Sequence, residues 1–379
     1  MIFEINSIFS KNDSLKSYLF EKIYYLEENI INAKVSKNKL YLTFKKKIRN
    51  QDSLKLKKNL ILLQKQILNS HERIKIKILS ENEGKSNYNK NPMSILIKSK
   101  ELKKVFSGVY SLSGNFLDVF NKLDHKFLKY AKSLKAVEHF YNPILPLSSL
   151  VENGYIQNFT HQPIVCSHFK RNIKKLSQIN FDKNINTEIG KYTDNPNYVL
   201  SPNVCFHCFD FLKNSKLNKN FEIFTAKTTC SRYESLNVED LIRLQSFTMR
   251  EIIYYGSNDN VENIRNKTIK HFKMFLDKLD LKSRFVSASD PFFADINYAK
   301  TIFQTTMNTK IEAQVWIPYK KKWLAVASFN NHMDVLVNKY NIKLKNNNKL
   351  FSGCTGYGYE RLLFSIISQH GPQLKKIKF

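Results

Sequence analysis

The stretch CSRYESLNVEDLIRLQSFTMREIIYYG, residues 230–256, decides how the rest of the chain is read. Arg232 and Glu234 stand two positions apart at the end of a strand-like run, so their side chains face the same way. A polar turn follows, and then Arg243, Phe247 and Glu251 recur every four residues. That spacing fits one face of a helix, whereas the β-branched residues after Glu251 fit a strand, and spacing leaves both open. A guanidinium, a carboxylate and an aromatic ring on one face suit recognition of phosphate, amine and base. The competing reading is an amphipathic surface element laced with ion pairs.

A second informative stretch is FSGCTGYGYERLLFSIISQHG, residues 351–371. Gly356 and Gly358 permit close backbone approach to a ligand, and Arg361 sits in the first turn of an apolar helix, facing back toward that turn. It is not a G-x-G-x-x-G fingerprint, because the last position is Arg361, and an ordinary glycine turn before a helix would look similar. A third constellation joins both stretches to SPNVCFHC: Cys205, Glu251 and Cys354 are a candidate metal set. Two thiolates and a carboxylate give Zn²⁺ three protein ligands and leave its fourth position open for a substrate amine. Cys205 and Cys208 could instead form half of a closed C-x-x-C site, with Cys166, Cys230, His161 or His168 nearby in sequence, or the thiols could simply be buried.

Working outward, residues 1–80 alternate strand-like and helix-like patterns. IFEIN, KLYLTFKKKI and RIKIKIL alternate with period two, while LKSYLFEKIYYLEENI and LKKNLILLQKQIL carry apolar residues at helical spacing. This predicts a small N-terminal α+β module. SENEGKSNYNKNP is polar and ends in proline, which places a linker over 81–92 and a second domain over 93–379. There the strands KTIFQTTM and AQVWIP are interrupted by the helices NFLDVFNKLDHKFLKYAKSL and NIRNKTIKHFKMFLDKL, without a regular βαβ beat. That favours a mixed or antiparallel sheet, hence an α+β fold.

The chain has 379 residues, 42% of them hydrophobic, enough for one large domain plus an appendage. Sixty-one Lys and Arg against 32 Asp and Glu give a net charge of +29, a field that attracts polyanions. The lysine excess beside abundant Asn and Ile equally suits a solvated surface set by genome composition. Five cysteines argue against a disulfide framework. No apolar run approaches a membrane span and no signal peptide is visible, so a cytoplasmic location without membrane attachment is expected.

The stretch RYE, a loop, RLQSF and a glutamate four beyond the phenylalanine resembles motif 2 of class II aminoacyl-tRNA synthetases, and GYGYERLL resembles their motif 3. The resemblance implies that Arg232 holds the α-phosphate and the amino acid carboxylate and that Glu234 meets the adenine amino group or the loop. It further implies that Arg243 reaches the γ-phosphate, Phe247 stacks on adenine, and Arg361 clamps the phosphates from the opposite side. Cys, Glu and Cys in this order are similar to zinc-dependent atypical seryl-tRNA synthetases and to amino acid:[carrier protein] ligases, with one zinc per subunit. The blocks SASDPFFADI (Asp290, Pro291, Phe292, Phe293), KIEAQVWIP (Lys310, Glu312), VASFNNHMDV (Ser328, Asn330, His332, Asp334) and EHFYNPILPLSSLVENGYIQNFTHQP extend the likeness over about residues 110–371. It implies a mostly antiparallel class II catalytic sheet flanked by helices, substrate contacts at Arg232, Glu251, Ser328 and Asn330, Mg²⁺ with ATP near Glu312, and a homodimer. Motif 1 is degenerate, with Pro143 or Pro146 as its proline. The magnesium glutamate expected just before Ser328 is replaced by LAVAS, and His332 reads as a core or dimer-contact histidine.

The expected function is ATP-dependent activation of a small amino acid to an aminoacyl adenylate, with Arg232 and Arg361 stabilising the reaction. No long heptad arm is present in the first 80 residues, which favours transfer to the phosphopantetheine thiol of an acidic carrier protein. The alternatives are a zinc-dependent seryl-type synthetase transferring to tRNA and a catalytically silent paralogue.

Overall fold

The computed structural model describes residues 1–73, 76–288, 309–377 and 379. The alternating patterns near the N-terminus form β1 (Ile2–Glu4), α1 (Asp13–Ile23), β2 (Ile30–Ser36), β3 (Lys39–Phe44) and α2 (Asn50–Arg73). The strands make an antiparallel sheet in the order β1-β3-β2. Its inward residues Phe3, Leu40 and Leu42 pack with Leu15, Leu19 and Leu60 of the helices in a core of their own. This is the expected small α+β module, with one difference at its end. RIKIKIL was expected to form one of its strands, yet among its described residues Arg73 ends α2 and only Ile78 and Leu79 are strand, in β4 (Ile78–Asn82), which pairs antiparallel with β8 (Ser283–Ser287) at the edge of the large sheet. The linker placed at 81–92 therefore starts inside a strand. Alternation identifies a strand but carries no information about which sheet it joins.

The large sheet has eight strands. Besides β4 and β8 they are β5 (Val137–Glu138), β6 (Glu222–Ser231), β7 (Ser246–Gly256), β9 (Lys310–Ile317), β10 (Lys322–Met333) and β11 (Phe351–Gly358). The order is β4-β8-β9-β10-β11-β7-β6-β5, and every neighbouring pair is antiparallel except β6/β5. The expected strand AQVWIP lies mostly in β9, while KTIFQTTM and the block Asp290–Phe293 lie outside the described residues. The two expected long helices are α3 (Gly114–Ser133) and α5 (Asn258–Lys278), and the chain ends its sheet with α6 (Tyr359–His370). Among the described residues no helix is long and apolar enough to cross a membrane.

Period two sorts the central strands into two faces. Ile252 and Tyr254 of β7, Ala327 and Phe329 of β10 and Tyr357 of β11 pack with Phe127, Phe272 and Phe364 of the helices. The alternate residues, Phe247 and Glu251, Ser328 and Asn330, Cys354 and Gly356, turn to the opposite side, where they line a cavity. On the helix side Asp124 of α3 is within 2.7 Å of Arg250 and 2.8 Å of Lys227, and accepts a 2.8 Å hydrogen bond from Tyr359. Burial alone would raise the Asp124 carboxyl, but these partners hold it below its usual range.

Candidate active site

The cavity measures about 990 Å³ and lies on the face of the sheet opposite α3, α5 and α6. At its floor the ligand atoms of Cys205, Glu251 and Cys354 lie within 4.8 Å of one another, all three residues buried. Three elements deliver them. Glu251 and Cys354 come from the adjacent strands β7 and β11, and Cys205 is the first residue of α4 (Cys205–Phe211). The Glu251 carboxylate accepts hydrogen bonds from the Val204 and Cys205 backbone amides at 3.2 and 3.1 Å, which fixes it against the helix start. Gly356 keeps the floor open: a Cβ there would meet Met249 Cε at 2.8 Å.

The donor set fits a thiophilic divalent cation. Burial, reinforced by the neighbouring Cys354, pushes the Glu251 carboxyl well above its usual range. A hydrogen bond between the two thiols holds Cys354 below and Cys205 above ordinary thiol values. Asn330 Nδ2 also donates to Cys354 Sγ at 3.4 Å. Three acidic groups share a buried floor with no basic side chain among the three, and a divalent cation would relieve that crowding. Cys208, one helical turn on, is buried beside Tyr141 instead, its thiol pushed up to about 12 by burial. Among the described residues the C-x-x-C pair gathers no closed metal set.

The arginines gather above this floor. Arg232 continues β6, stacks over the Phe247 ring at 5.2 Å, and donates to Pro202 O at 3.1 Å and Asn203 Oδ1 at 2.6 Å. Arg361, in the first turn of α6, donates to Ile242 O at 2.6 Å and Ala325 O at 3.3 Å. Burial lowers the Arg361 guanidinium to about 10, with the Arg243 charge adding to the shift. That is the electrostatic signature of a pocket suited to an anion. The alternative left open by spacing resolves as strand: Phe247 and Glu251 share one face of β7, whereas Arg243 stands before it in the loop. Arg243 does not line the cavity; its Nη1 pairs with Glu234 Oε2 at 3.4 Å, and Glu234 does line it.

Glu312, Ser328 and Asn330 all line the cavity on β9 and β10, with Glu312 directly across from Ser328 and 3.4 Å from Lys310 Nζ. Two further residues also reach it. His332, expected as a core or dimer-contact histidine, lines the cavity and hydrogen-bonds the Cys354 thiol. Glu360 accepts the Thr248 backbone amide at 2.9 Å on both oxygens, and burial pushes its carboxyl up to about 7. Period two from Asn330 would have found His332; Glu360 had no signal beyond its place beside Arg361.

Residues 187–370 match the family described as the tRNA synthetase class II core domain (G, H, P, S and T). The type-2 serine–tRNA ligase of Methanocaldococcus jannaschii is 24% identical over 367 residues, which cover 89% of this chain and 70% of that ligase. The chain spans less than half the length of two further type-2 serine–tRNA ligases it matches. An amino acid–[acyl-carrier-protein] ligase of Bradyrhizobium diazoefficiens is 25% identical over 273 residues, 70% of this chain and 81% of that ligase. In fold, M. kandleri SerRS in complex with A. aeolicus tRNASec aligns over 90% of this chain and 70% of its own, with a TM-score of 0.69 at 17% identity.

Proposed function

We propose that this class II synthetase-like ligase activates a small amino acid with ATP to the aminoacyl adenylate and then transfers the aminoacyl group to a tRNA hydroxyl, releasing AMP. The single observation that carries the activation step is the convergence, in one cavity, of Arg232, Phe247 and Arg361 with the buried cluster Cys205, Glu251 and Cys354. The substrate carboxylate attacks the α-phosphorus in line; the bond to pyrophosphate breaks and the pyrophosphate leaves. The carboxylate is already ionised, so no general base is needed, and the step turns on placement and charge neutralisation. Arg232 and Arg361, both lining the cavity, would supply positive charge to the phosphates, and Phe247 would offer a flat face to a base. Cys205, Glu251 and Cys354 would hold Zn²⁺, which supplies an electron-pair acceptor for the free α-amine. Glu312, which lines the same cavity, would be the carboxylate that brings Mg²⁺ to the phosphates.

For the acceptor, tRNA displaces the carrier protein expected from the missing heptad arm. The likeness to the M. jannaschii ligase covers 89% of the chain, more than the 70% covered by the carrier-protein ligase. The first 80 residues hold seventeen Lys and Arg against seven Asp and Glu, a charge balance suited to phosphates. The carrier-protein reading keeps one specific support, the 81% of the Bradyrhizobium ligase that aligns. Both are tested together: ATP and a labelled small amino acid are incubated with bulk tRNA in one tube and a holo carrier protein in another. Label on tRNA alone supports the proposal; label on the carrier alone overturns the acceptor, and absence of pyrophosphate exchange with every small amino acid overturns the activation.

A further inference from the structure

The loop between β6 and β7 carries Glu234 into the ATP side of the cavity, and its two halves are held differently. The far half is tied to the catalytic domain itself: Lys320 Nζ lies 2.7 Å from Glu239, Lys322 pairs with the same carboxylate, and Tyr319 and Asn91 each donate to Asp240 at 3.2 Å. The near half is held at Tyr233, whose amide donates to Gln162 O at 2.7 Å, and at Ser235, which adopts a left-handed backbone with φ of 51°. The neighbour of Ser235 comes from the N-terminal module: Tyr25, in the turn closing α1, brings its hydroxyl beside the Ser235 side chain. Its ring also meets the His161 ring edge-on, centroids 5.5 Å apart at 76°. Tyr25 thus bridges the module to the two catalytic-domain segments that meet at Tyr233, one of which holds the Glu234–Arg243 pair.

We infer that Tyr25 of the N-terminal module is a positioning residue for the ATP-binding loop, holding Ser235 so that Glu234 and Arg243 are set before nucleotide arrives. The inference rests on the ATP-site reading above and adds to it. The module then acts in the activation half-reaction, which involves no acceptor, and not only in meeting an acceptor. Its physical basis is preorganisation: a left-handed residue next to a ligand-binding carboxylate stays in place only where its surroundings hold it.

The test is equilibrium binding of a non-hydrolysable ATP analogue to the full chain, with pyrophosphate exchange measured in parallel. Tyr25→Phe keeps the ring on His161 and removes the hydroxyl; Ser235→Ala removes its partner. Each is expected to weaken the analogue about five- to tenfold, the double variant no more than either alone, with kcat and the amino acid KM within twofold of wild type. Unchanged binding, additive losses, or losses that follow a lowered melting temperature overturn the inference. Failure of the wild-type chain to bind the analogue overturns it too. Wild-type chain that binds the analogue but exchanges no amino acid defeats the proposed function alone, and Tyr25 is still judged on the binding.

Discussion

Arg250 and Glu251 are neighbours on β7, yet they sit in opposite electrostatic worlds. Arg250 points to the helix side, where Asp124, Glu138, Lys227 and Tyr359 complete a network of two carboxylates and two cations within the chain. Glu251 points to the cavity, where the nearest ionisable groups are two buried thiols. The first arrangement has what a folded protein needs to bury charge; the second is short of a cation. The difference separates structure from function: a buried charge balanced by its own chain supports the fold, and one left unbalanced points to a ligand from outside.

The largest way to break this comparison is on the helix side. Asp124→Ala removes the carboxylate shared by Arg250 and Lys227, leaving Arg250 only Glu138 at 3.6 Å, and is expected to lower stability by about 3–5 kcal/mol, read in urea or thermal unfolding. If the loss stays below about 1 kcal/mol, the network is not what holds α3 to the sheet. On the cavity side the sign reverses. Glu251→Gln removes one of three crowded acids, so the metal-free protein should be no less stable than wild type, while amino acid-dependent pyrophosphate exchange disappears. A destabilised metal-free variant would show that Glu251 serves the fold.

A smaller effect separates the two faces by pH. The Glu360 carboxyl is raised from its ordinary value to about 7, so between about pH 4.5 and 7 the folded chain holds a proton that the unfolded chain has lost. Stability therefore falls as pH rises through that window, by at most about 3 kcal/mol. Glu360→Gln should flatten that slope and leave stability near pH 4 unchanged. A slope that persists in the variant assigns it to another group.

Much of this was legible in the sequence because period two holds on β7 and β11 around Glu251 and Cys354 and on β10 from Ala327 to Asn330, although β10 bulges just before, where Val326 and Ala327 both join the core. Once residues 246–256 and 351–358 are strands, Glu251 and Cys354 must share a face with Phe247 and Gly356. The parts that escaped depend on contacts the local pattern does not encode. RIKIKIL reads as a strand wherever it pairs, so β4 was placed in the wrong sheet. Arg243 shares the four-residue spacing of Phe247 and Glu251, but it precedes the strand and does not line the cavity, pairing instead with Glu234, which does. Tyr25 lies some two hundred positions from the loop it touches, and nothing in LKSYLFEKIYYLEENI distinguishes it from Tyr24.

The most direct test of the cavity-side claim is the metal content of the purified chain, measured beside its pyrophosphate exchange. The account predicts about one zinc per chain, and loss of both zinc and exchange in Cys354→Ser with the fold retained by circular dichroism. Full exchange from a chain that carries no zinc would contradict it.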